Sequence, residues 1–506
     1  MLAVANTAKF LTMPIKTTIK KVLIANRGEI AARILRGVQA AGMQSVAIYH
    51  PLDRHALHVQ QADEAIELTA DNPSAAYLDI EQIISICTAH NVDAVHPGYG
   101  FLSENALFAA ALEKNNIAFI GPKSDVIKLM GDKIRAREFV IKQGVNVPPS
   151  TDLAINDPNF DAAIAEMELP LLVKASAGGG GKGMSIVRSN SELSAALELA
   201  TAEAEKHFGD GRVYIEQYFE SARHIEVQVL GDGNDVIHLG ERDCSVQRRF
   251  QKVIEEAPAS NLSDRLRQEL CDAAVTIAKA AKYLSAGTVE FLVTPNEKFY
   301  FLEMNTRLQV EHGVTELITG IDLVAQQLDL ASGNSLSLKQ NDIKISGHAI
   351  ECRICAEDPF DGFMPQTGKI MHLDIPQGAQ VRIDSGIQQG QTVSPAFDSM
   401  LAKLLIHAED RHSTIAQSIK ALSDFTLLGI TTNIDFLATV LAHPQFETGN
   451  IDTHFIDNHE TDLIQQKPDS KHLQVVLAAA LLSDPKVKQA MQNTPSPYLD
   501  LGAWRN

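Results

Sequence analysis

Two glutamates in neighbouring apolar segments form a candidate site for a divalent cation. Glu290 lies in GTVEFLV and Glu303 in KFYFLEMN, and residues 295–298 separate the two segments. If the segments form a hairpin with a four-residue loop, Thr294 pairs with Phe299 and Glu290 directly faces Glu303. Carboxylates at opposed positions repel each other, and an Mg²⁺ ion between them would remove that repulsion. The prediction depends on the register of the hairpin, and two solvent-exposed glutamates are the alternative.

Polar side chains recur at every second position directly after Glu303. In an extended segment such side chains point to one side. The residues at these positions are Asn305, Arg307, Gln309 and Glu311. An arginine fits a planar oxyanion through two parallel hydrogen bonds, and a neighbouring carboxylate can serve as general base. The segment therefore predicts a site for a small anion such as bicarbonate, although an ordinary polar sheet face would show the same alternation.

Four consecutive glycines lie between two predicted strands, in AGGGGKG at 177–183. Such a run costs conformational entropy, so we expect its backbone N–H groups to converge on phosphate oxygens, with Lys182 adding positive charge. The spacing differs from that of a Walker A loop, and a strand follows instead of a helix. The sequence favours a lid that covers phosphates, with a flexible hairpin tip as the alternative.

Basic residues elsewhere are placed to bind an anionic ligand. Lys133 opens a predicted helix, where anions are favoured, and Lys174 ends the apolar strand LPLLVKA close to the glycines. The stretch QRRFQKVIEEAP contains Arg248, Arg249 and Lys252, and it predicts a local anion site or an exposed basic edge with equal weight. The loop HPGYGFLSEN follows a predicted parallel strand, at the end where α/β sheets place ligands.

Composition excludes several classes of protein. The chain has 506 residues, and a net charge of −19 argues against a protein that binds nucleic acid or a membrane surface. Its five cysteines, an odd number without framework spacing, indicate a reducing compartment. Cys352 and Cys355 form a single CxxC, which we interpret as two positions in or beside a buried strand. The sequence contains no run of about 18 apolar residues that would span a membrane.

Strand and helix patterns predict a multidomain protein that combines α/β and α+β units. We interpret residues 1–19 as a disordered extension, with Met13 as an alternative start. This extension lacks the Arg richness of a transit peptide, so we expect a cytoplasmic location rather than the mitochondrial matrix. Alternating strands and helices over 20–147 predict a Rossmann-like parallel sheet. A small α+β unit around the glycines (148–219), a large antiparallel sheet (220–460) and a helical tail (461–506) follow.

A series of motifs resembles the biotin carboxylases of the ATP-grasp superfamily, in their order along the chain. The motifs are IANRGEIA at 24–31, HPGYGFLSEN, MGDK, AGGGGKGM, ERDCSVQRR, QKVIEEAP, EMNTRLQVEH and ECRICAEDP, and the resemblance covers residues 20–460. It implies an ATP-grasp fold and an ATP-dependent ligase. ATP and bicarbonate would give carboxyphosphate and ADP, and the biotin of a carrier domain would then be carboxylated, as the first half-reaction of an acyl-CoA carboxylase.

The resemblance also implies a role for each site residue. ATP would contact Lys133, Lys174, Met184, the backbone near Glu216, His224, Gln247 and the glycine loop (Gly178, Gly179, Gly180, Gly181, Lys182 and Gly183). Magnesium (or manganese) would bind Glu290, Glu303 and Asn305. Bicarbonate would bind Arg307, Gln309 and the backbone of Val310, with Glu311 as its general base. Lys252 would steady carboxyphosphate, Arg353 would stabilise the biotin enolate, and Tyr99 would lie close to biotin.

Four further points belong to this interpretation. Phe250 stands where the family usually has His or Asn, which predicts altered nucleotide affinity with activity retained. The chain lacks a Met-Lys-Met motif for biotin attachment, so the expected partners are a separate or missing carrier domain and a carboxyltransferase. A homodimer is also implied, through the large domain and the helix that contains Arg36. The tail NTPSPYLDLGAWRN resembles the passage that leads from the carboxylase domain into the linking region of acyl-CoA carboxylase α chains, so the chain is either a truncated α chain or a subunit that uses a separate carrier. The resemblance favours the methylcrotonyl-, geranyl- or propionyl-CoA type over the acetyl-CoA type.

Two other functions remain as alternatives. One is another ATP-grasp ligase, which would not be expected to have the complete NTRxQVE run. The other is an inactive nucleotide-binding regulatory subunit, which the intact Glu311, Arg307 and Arg353 argue against.

Overall fold

A computed structural model of the chain describes residues 19–153, 155–176 and 184–464, together with residue 489. The predictions for the extension before residue 19, for the glycine loop at 177–183 and for the rest of the tail beyond residue 464 lie outside the described residues.

The N-terminal part of the chain alternates strands with helices, as the sequence predicts. Its elements are β1 (Lys21–Ile24), α1 (Gly28–Ala40), β2 (Gln44–Tyr49), α2 (Leu57–Gln61), β3 (Glu64–Glu67), α3 (Pro73–Ala76), α4 (Ile80–Ala89), β4 (Ala94–His96), α5 (Ala106–Lys114), β5 (Ala118–Phe119), α6 (Ser124–Met130) and α7 (Lys133–Lys142). The strands form a parallel sheet in the order β3-β2-β1-β4-β5. Helix α4 begins at Ile80, because the Asp79 side chain accepts the backbone N–H of Gln82 and caps the helix.

The chain before and after residues 177–183 forms a small antiparallel sheet. Its elements are β6 (Ser150–Thr151), α8 (Phe160–Ala165), β7 (Leu171–Ala175), β8 (Met184–Val187), α9 (Leu193–Phe208) and β9 (Val213–Gln217), and the strand order is β6-β9-β7-β8. Lys174 pairs with Met184 across β7 and β8. The glycine loop therefore joins two neighbouring antiparallel strands.

An eight-stranded antiparallel sheet dominates the rest of the described chain. The elements are β10 (Arg223–Asp232), β11 (Val236–Arg248), β12 (Gln251–Ala257), α10 (Asp264–Ala280), β13 (Leu284–Val293), β14 (Phe299–Asn305), α11 (His312–Thr319), α12 (Leu323–Ala331), β15 (His348–Cys355), β16 (Glu357–Asp358), β17 (Met364–Pro365), β18 (Gly368–Lys369), β19 (His372–Asp374), β20 (Val381–Ser385), β21 (Thr392–Val393), β22 (Met400–Ala408), α13 (Arg411–Asp424), β23 (Thr426–Leu428), α14 (Ile434–Leu441), α15 (Pro444–Glu447), α16 (Phe455–Asn458) and α17 (Glu460–Leu463). The sheet order is β14-β13-β10-β11-β12-β15-β22-β20.

The three sheets confirm the predicted fold class, a parallel first sheet followed by a small and a large antiparallel sheet. The residue limits of the domains stay predictions. Both cysteines of the CxxC lie on β15, as expected for positions in a strand, and the five cysteines are free.

The two faces of the large sheet have different surroundings. On β10, Ile225, Val227 and Val229 belong to one apolar cluster with Leu266 and Leu270 of α10. The alternate positions of the same strand carry His224, Glu226 and Gln228, all buried. Because side chains alternate between the faces of a strand, one face packs against a helix while the other presents polar groups. This polar face is the one that builds the site.

Among the described residues, we find no helix with the length and apolar character needed to cross a membrane.

Candidate active site

A cavity of about 960 Å³ opens between the small sheet and the polar face of the large sheet. Its lining includes each predicted site residue that the structure describes: Tyr99, Lys133, Lys174, Met184, Glu216, His224, Gln247, Lys252, Glu290, Glu303, Asn305, Arg307, Gln309, Val310, Glu311 and Arg353. The glycines and Lys182 lie outside the described residues. Side chains spread over more than 250 positions of sequence therefore meet in one place, although their individual roles stay predictions.

The hairpin carrying Glu290 and Glu303 brings the two glutamates opposite each other, but not through the predicted loop register. Phe299 pairs with Val293, and the expected pairing with Thr294 is wrong. A bulge between Glu290 and Phe291 shifts the register by one residue and restores the pairing of Glu290 with Glu303. The alternative of two exposed glutamates is wrong for Glu290, which is buried, while Glu303 is half-buried.

The segment after Glu303 is not the extended strand that the alternation predicted. β14 ends at Asn305, and the chain then turns so that Glu311 becomes the residue that precedes α11. The predicted side chains still converge, because they bond to one another and to Glu290. Asn305 Nδ2 and Gln309 Nε2 donate to Glu290 Oε1 over 2.8 and 2.7 Å. Arg307 Nη2 donates to Asn305 Oδ1 over 2.7 Å.

Lys252 lies at the centre of the acidic groups. Its Nζ is 2.6 Å from Glu226, 2.9 Å from Glu290 and 2.5 Å from Glu311. Burial lowers the pKa of Lys252, but the three carboxylates outweigh burial and raise that pKa well above its usual value. The ammonium group is therefore a permanent positive charge in the cavity.

Glu311 is held between two cations. One oxygen accepts from Lys252, and the other accepts from Arg353 Nη2 over 3.0 Å. Burial raises the pKa of Glu311, but Lys252 and Arg353 hold it below its ordinary value. The Glu311 carboxylate is thus ionised at neutral pH.

Glu290 is also ionised, for the same reason. Burial raises its pKa, while Lys252 and His224 hold it well below the ordinary value. His224 Nε2 lies 2.9 Å from Glu290 Oε2, and Gln247 Nε2 lies 2.7 Å from His224 Nδ1. Carboxylate and amide oxygens from Glu290, Glu303 and Asn305 are hard donors that suit Mg²⁺ or Mn²⁺. The donor set therefore fits the implied metal.

Two further lysines line the cavity, Lys133 and Lys174. Lys174 Nζ lies 3.0 Å from Glu216, which also bonds Arg137 over 2.9 Å. Lys133 is the first residue of α7, as predicted, and its Nζ lies 3.7 Å from Glu303. Each of these ammonium groups therefore lines the cavity beside a carboxylate, Glu303 of β14 or Glu216 of β9.

Other predicted residues are held in place by unpredicted partners. Arg307 Nε donates to Glu104 over 2.9 Å, so HPGYGFLSEN supplies an anchor for the anion segment. The Tyr99 hydroxyl donates to Glu29. The carbonyl of Val310 accepts from Lys403 Nζ over 2.6 Å.

Phe250 lies in a tight turn at the cavity wall. It follows Arg249, and both have positive φ, 49° and 63°, between β11 and β12. The Phe250 side chain is 43% exposed, so it adds an apolar surface where the family usually has a polar one. Arg248 forms an ion pair with Glu357 over 2.8 Å. Of the basic run, Arg249 and Lys252 line the main cavity.

Sequence reasoning missed the buried pair of Glu226 and Arg242. Both are fully buried, and Arg242 Nε is paired with Glu226. The guanidinium also donates to Gln228, Thr288, Gln309 and Thr315. The available signal was the alternation of His224, Glu226 and Gln228 in β10, which is the same pattern that marked the segment after Glu303.

Comparisons with known proteins agree with these features. The family pattern described as "Biotin carboxylase, N-terminal domain" matches residues 18–127. "Carbamoyl-phosphate synthase L chain, ATP binding domain" matches 132–339, and "Biotin carboxylase C-terminal domain" matches 351–458.

Curated relatives match most of the chain. One of the pyruvate carboxylase subunits of Methanothermobacter thermautotrophicus is 47% identical over 87% of this chain and 90% of its own length. The alpha chain of the mitochondrial methylcrotonoyl-CoA carboxylase of Mus musculus is 46% identical over 90% of this chain and 65% of its own length.

A solved structure shares the fold. It is the biotin carboxylase domain dimer of Hydrogenobacter thermophilus 2-oxoglutarate carboxylase in complex with MgADP, ADP and bicarbonate. The match has a TM-score of 0.86 and 43% identity, and it covers 89% of this chain and 99% of that chain. Domain patterns that follow one another from residue 18 to residue 458, and relatives this similar over almost all of that length, show that the chain belongs to the biotin carboxylase family.

Proposed function

We propose that this protein uses ATP and bicarbonate to carboxylate biotin on a carrier domain, through carboxyphosphate. The observation that carries the proposal is the arrangement around Lys252, where Glu311, Glu290 and Arg353 meet beside an oxygen-rich cation site. An anion bound here would meet positive charge, a general base and a metal at once. The acidic overall charge of the chain does not oppose this, because the cations are local to the cavity.

Nucleotide binding is assigned to the wall near the small sheet. Lys133 and Lys174 would contact the phosphates, with the glycine loop (Gly178–Gly181, Lys182 and Gly183) and Met184 over them. Backbone groups near Glu216 would hold the base, and His224 and Gln247 would lie near the ribose. A divalent metal held by Glu290, Glu303 and Asn305 would neutralise phosphate charge.

Bicarbonate activation is assigned to the segment after Glu303. Arg307, Gln309 and the backbone of Val310 would bind the anion. Its negative charge would draw Lys252 and Arg353 away from Glu311. Because those two cations hold the pKa of Glu311 down, their withdrawal raises that pKa and makes Glu311 a better proton acceptor. The deprotonated oxygen of bicarbonate can then attack the terminal phosphorus of ATP, with ADP as the leaving group.

The second step, in which biotin is carboxylated, is assigned to residues on β12 and β15. Lys252 would steady carboxyphosphate by its permanent charge. Arg353 would stabilise the enolate form of biotin, since a guanidinium keeps its charge at any working pH. Tyr99 would lie beside the biotin ring.

The final acceptor of the carboxyl group and the partner proteins are proposed from the relatives. The methylcrotonoyl-CoA carboxylase relative supports an acyl-CoA acceptor of the methylcrotonyl, geranyl or propionyl type, over the acetyl-CoA type. The pyruvate carboxylase relative supports a keto-acid acceptor to a similar degree. A carrier domain, a carboxyltransferase and a second copy of this chain are the proposed partners, and the cytoplasm is the proposed location. The dimer of the solved relative supports the second copy.

The deciding experiment measures ADP release by the purified protein with Mg-ATP, with and without bicarbonate and free biotin. We expect ADP release to require bicarbonate and to increase when biotin is added. Hydrolysis that is independent of bicarbonate would indicate another ATP-grasp ligase. No hydrolysis, even with a carrier domain supplied, would indicate an inactive regulatory protein.

Replacing Glu290 by Gln should raise the magnesium concentration needed for half-maximal ADP release by about tenfold or more, since one charged ligand is lost. A magnesium titration of the rate checks this. Glu297→Gln is the matched control, because Glu297 lies at the exposed tip of the same hairpin. An unchanged titration in Glu290→Gln would contradict the assignment of the metal site.

A further inference from the structure

Two glutamates behind Arg353 face each other inside the large sheet. Glu255 on β12 pairs directly with Glu351 on β15. Both side chains are 0% exposed. Opposed residues in an antiparallel pair have Cβ atoms about 4.5–5.5 Å apart, so their carboxyl groups are neighbours.

The two carboxyl groups have too few partners for two negative charges. Glu255 Oε1 accepts from Arg353 Nε over 2.6 Å. Glu255 Oε2 and both oxygens of Glu351 have no hydrogen-bond donor among the described residues. The nearest buried cation on the next strand, Lys403, is directed elsewhere: its Nζ donates to Val310 and lies 3.5 Å from Glu29.

Helix α11 closes the remaining side of the pair. A Cβ atom at Gly313 would lie 3.3 Å from Glu351 Oε2, so the helix packs directly onto this carboxyl group. An ionised carboxylate in such a place, without a donor, would carry a large desolvation cost. One proton removes this desolvation cost, since a protonated Glu351 can donate a hydrogen bond to the free oxygen of Glu255.

We propose that Glu255 and Glu351 share one proton across β12 and β15, and that the single negative charge of this pair positions Arg353. The role of Arg353 in catalysis rests on the proposed function, whereas the shared proton rests on the structure alone. Arg353 forms ion pairs with Glu255 on one side and Glu311 on the other. A doubly ionised pair would pull the guanidinium toward β12 and away from the reacting groups. The pair therefore acts by positioning Arg353, and neither glutamate touches substrate.

Burial and the neighbouring carboxylates favour one proton in the pair, while Arg353 and Lys403 oppose it. Glu351 faces Glu255 from β12, Arg353 on its own strand, Lys403 from β22 and Glu311 at the start of α11. Burial raises the pKa of Glu351 well above 4.5, and burial together with Glu311 raises that of Glu255 to about 7 although Arg353 opposes it.

The proton should be visible without any assay of activity. In wild-type protein, infrared spectra should show the carbonyl band of a buried protonated carboxylic acid, and Glu351→Gln should lose it. Because a glutamine amide is not ionisable, the same substitution also removes a pH dependence of stability. A Glu351 whose pKa is raised on folding stabilises the protein fully below about 4.5 and loses that contribution as the pH rises through the raised pKa.

The thermal midpoint of Glu351→Gln minus that of wild type should therefore increase as the pH rises from about 6 to about 9. Asp384→Asn is the matched control. Asp384 is a buried carboxylate on β20, but it is paired with Arg36 and Arg382, and these arginines together with Lys403 hold its pKa well below its ordinary value against the effect of burial. Because these partners keep their charge, its loss should lower the midpoint by a similar amount throughout this pH range. An infrared band that persists in Glu351→Gln, or a midpoint difference that does not change with pH, would overturn the shared proton.

Activity then tests the positioning role. Glu351→Gln should keep the biotin-dependent rate within about threefold at about pH 7, because the amide donates as the protonated carboxyl does. Its kcat/KM for biotin should fall less at alkaline pH than that of wild type. Glu351→Leu, which cannot donate, should raise KM for biotin more than it lowers kcat. If both variants follow the wild-type pH profile while the infrared band behaves as expected, the positioning role is wrong. If wild type shows no biotin-dependent turnover, the proposed function fails and the infrared and thermal results still decide the pair.

Discussion

Replacing Glu311 by Gln should lower bicarbonate-dependent ADP release by about 100- to 10,000-fold, the range of a general base. Gln keeps the shape of the side chain and can accept through its single oxygen from either Lys252 or Arg353, but it cannot take a proton from bicarbonate. Lys252 retains Glu226 and Glu290 as partners, so the cavity should keep its form. Steady-state rates with varied bicarbonate, together with nucleotide binding by calorimetry, check this prediction.

Nucleotide affinity separates a lost base from a damaged site. We expect Glu311→Gln to bind ATP within about twofold of wild type, because Glu311 is bonded to Lys252 and Arg353 rather than to the lysines near the glycine loop. Glu311→Asp is the matched variant: it keeps the charge but withdraws the carboxylate by one methylene, and it should recover part of the rate. Wild-type turnover in Glu311→Gln would show that another group is the base.

Replacing Arg242 by Met should lower the free energy of unfolding by about 3–5 kcal/mol, the usual cost of breaking a buried ion pair from one side. Glu226 would keep Lys252 but lose its guanidinium partner. The acceptors on Gln228, Thr288, Gln309 and Thr315 would lose a donor as well. Urea-induced unfolding, followed by circular dichroism, measures the change.

A double variant identifies the cause of that loss. Glu226→Gln combined with Arg242→Met should be more stable than the sum of the single changes predicts, by about 0.5–3 kcal/mol, because neither charge is then left without its partner in the ion pair. Arg265→Met is the control, since Arg265 pairs with Glu269 and Glu297 on the surface, and its loss should cost much less stability than that of Arg242. Equal costs for Arg242→Met and Arg265→Met would mean that the buried pair contributes no more than a surface one.

Much of the site could be predicted because its residues follow local rules. A period of two in the hairpin predicted that Glu290 lies opposite Glu303. The prediction is correct although the predicted loop register is wrong by one residue, because a bulge of one residue offsets that error. Such a bulge cannot be predicted from alternation, since it depends on how the two strands twist against their neighbours. The turn after Asn305 was missed for a related reason: a polar residue at every second position indicates a strand only if the backbone stays extended. Here the beginning of α11 bends the chain, and bonds to Glu290 keep the side chains together.

The sequence by itself determined which chemical groups the protein has, the order of its strands and helices, and the family to which those motifs belong. It could not determine which polar side chains become partners inside the large sheet. Glu226 meets Arg242 because β10 lies beside β11, and Glu255 meets Glu351 because β12 lies beside β15. Those neighbours are separated by up to about a hundred residues of chain, and only packing of the whole sheet brings them into contact. Burial then decides their charge, because a carboxylate excluded from water must find a cation or a proton.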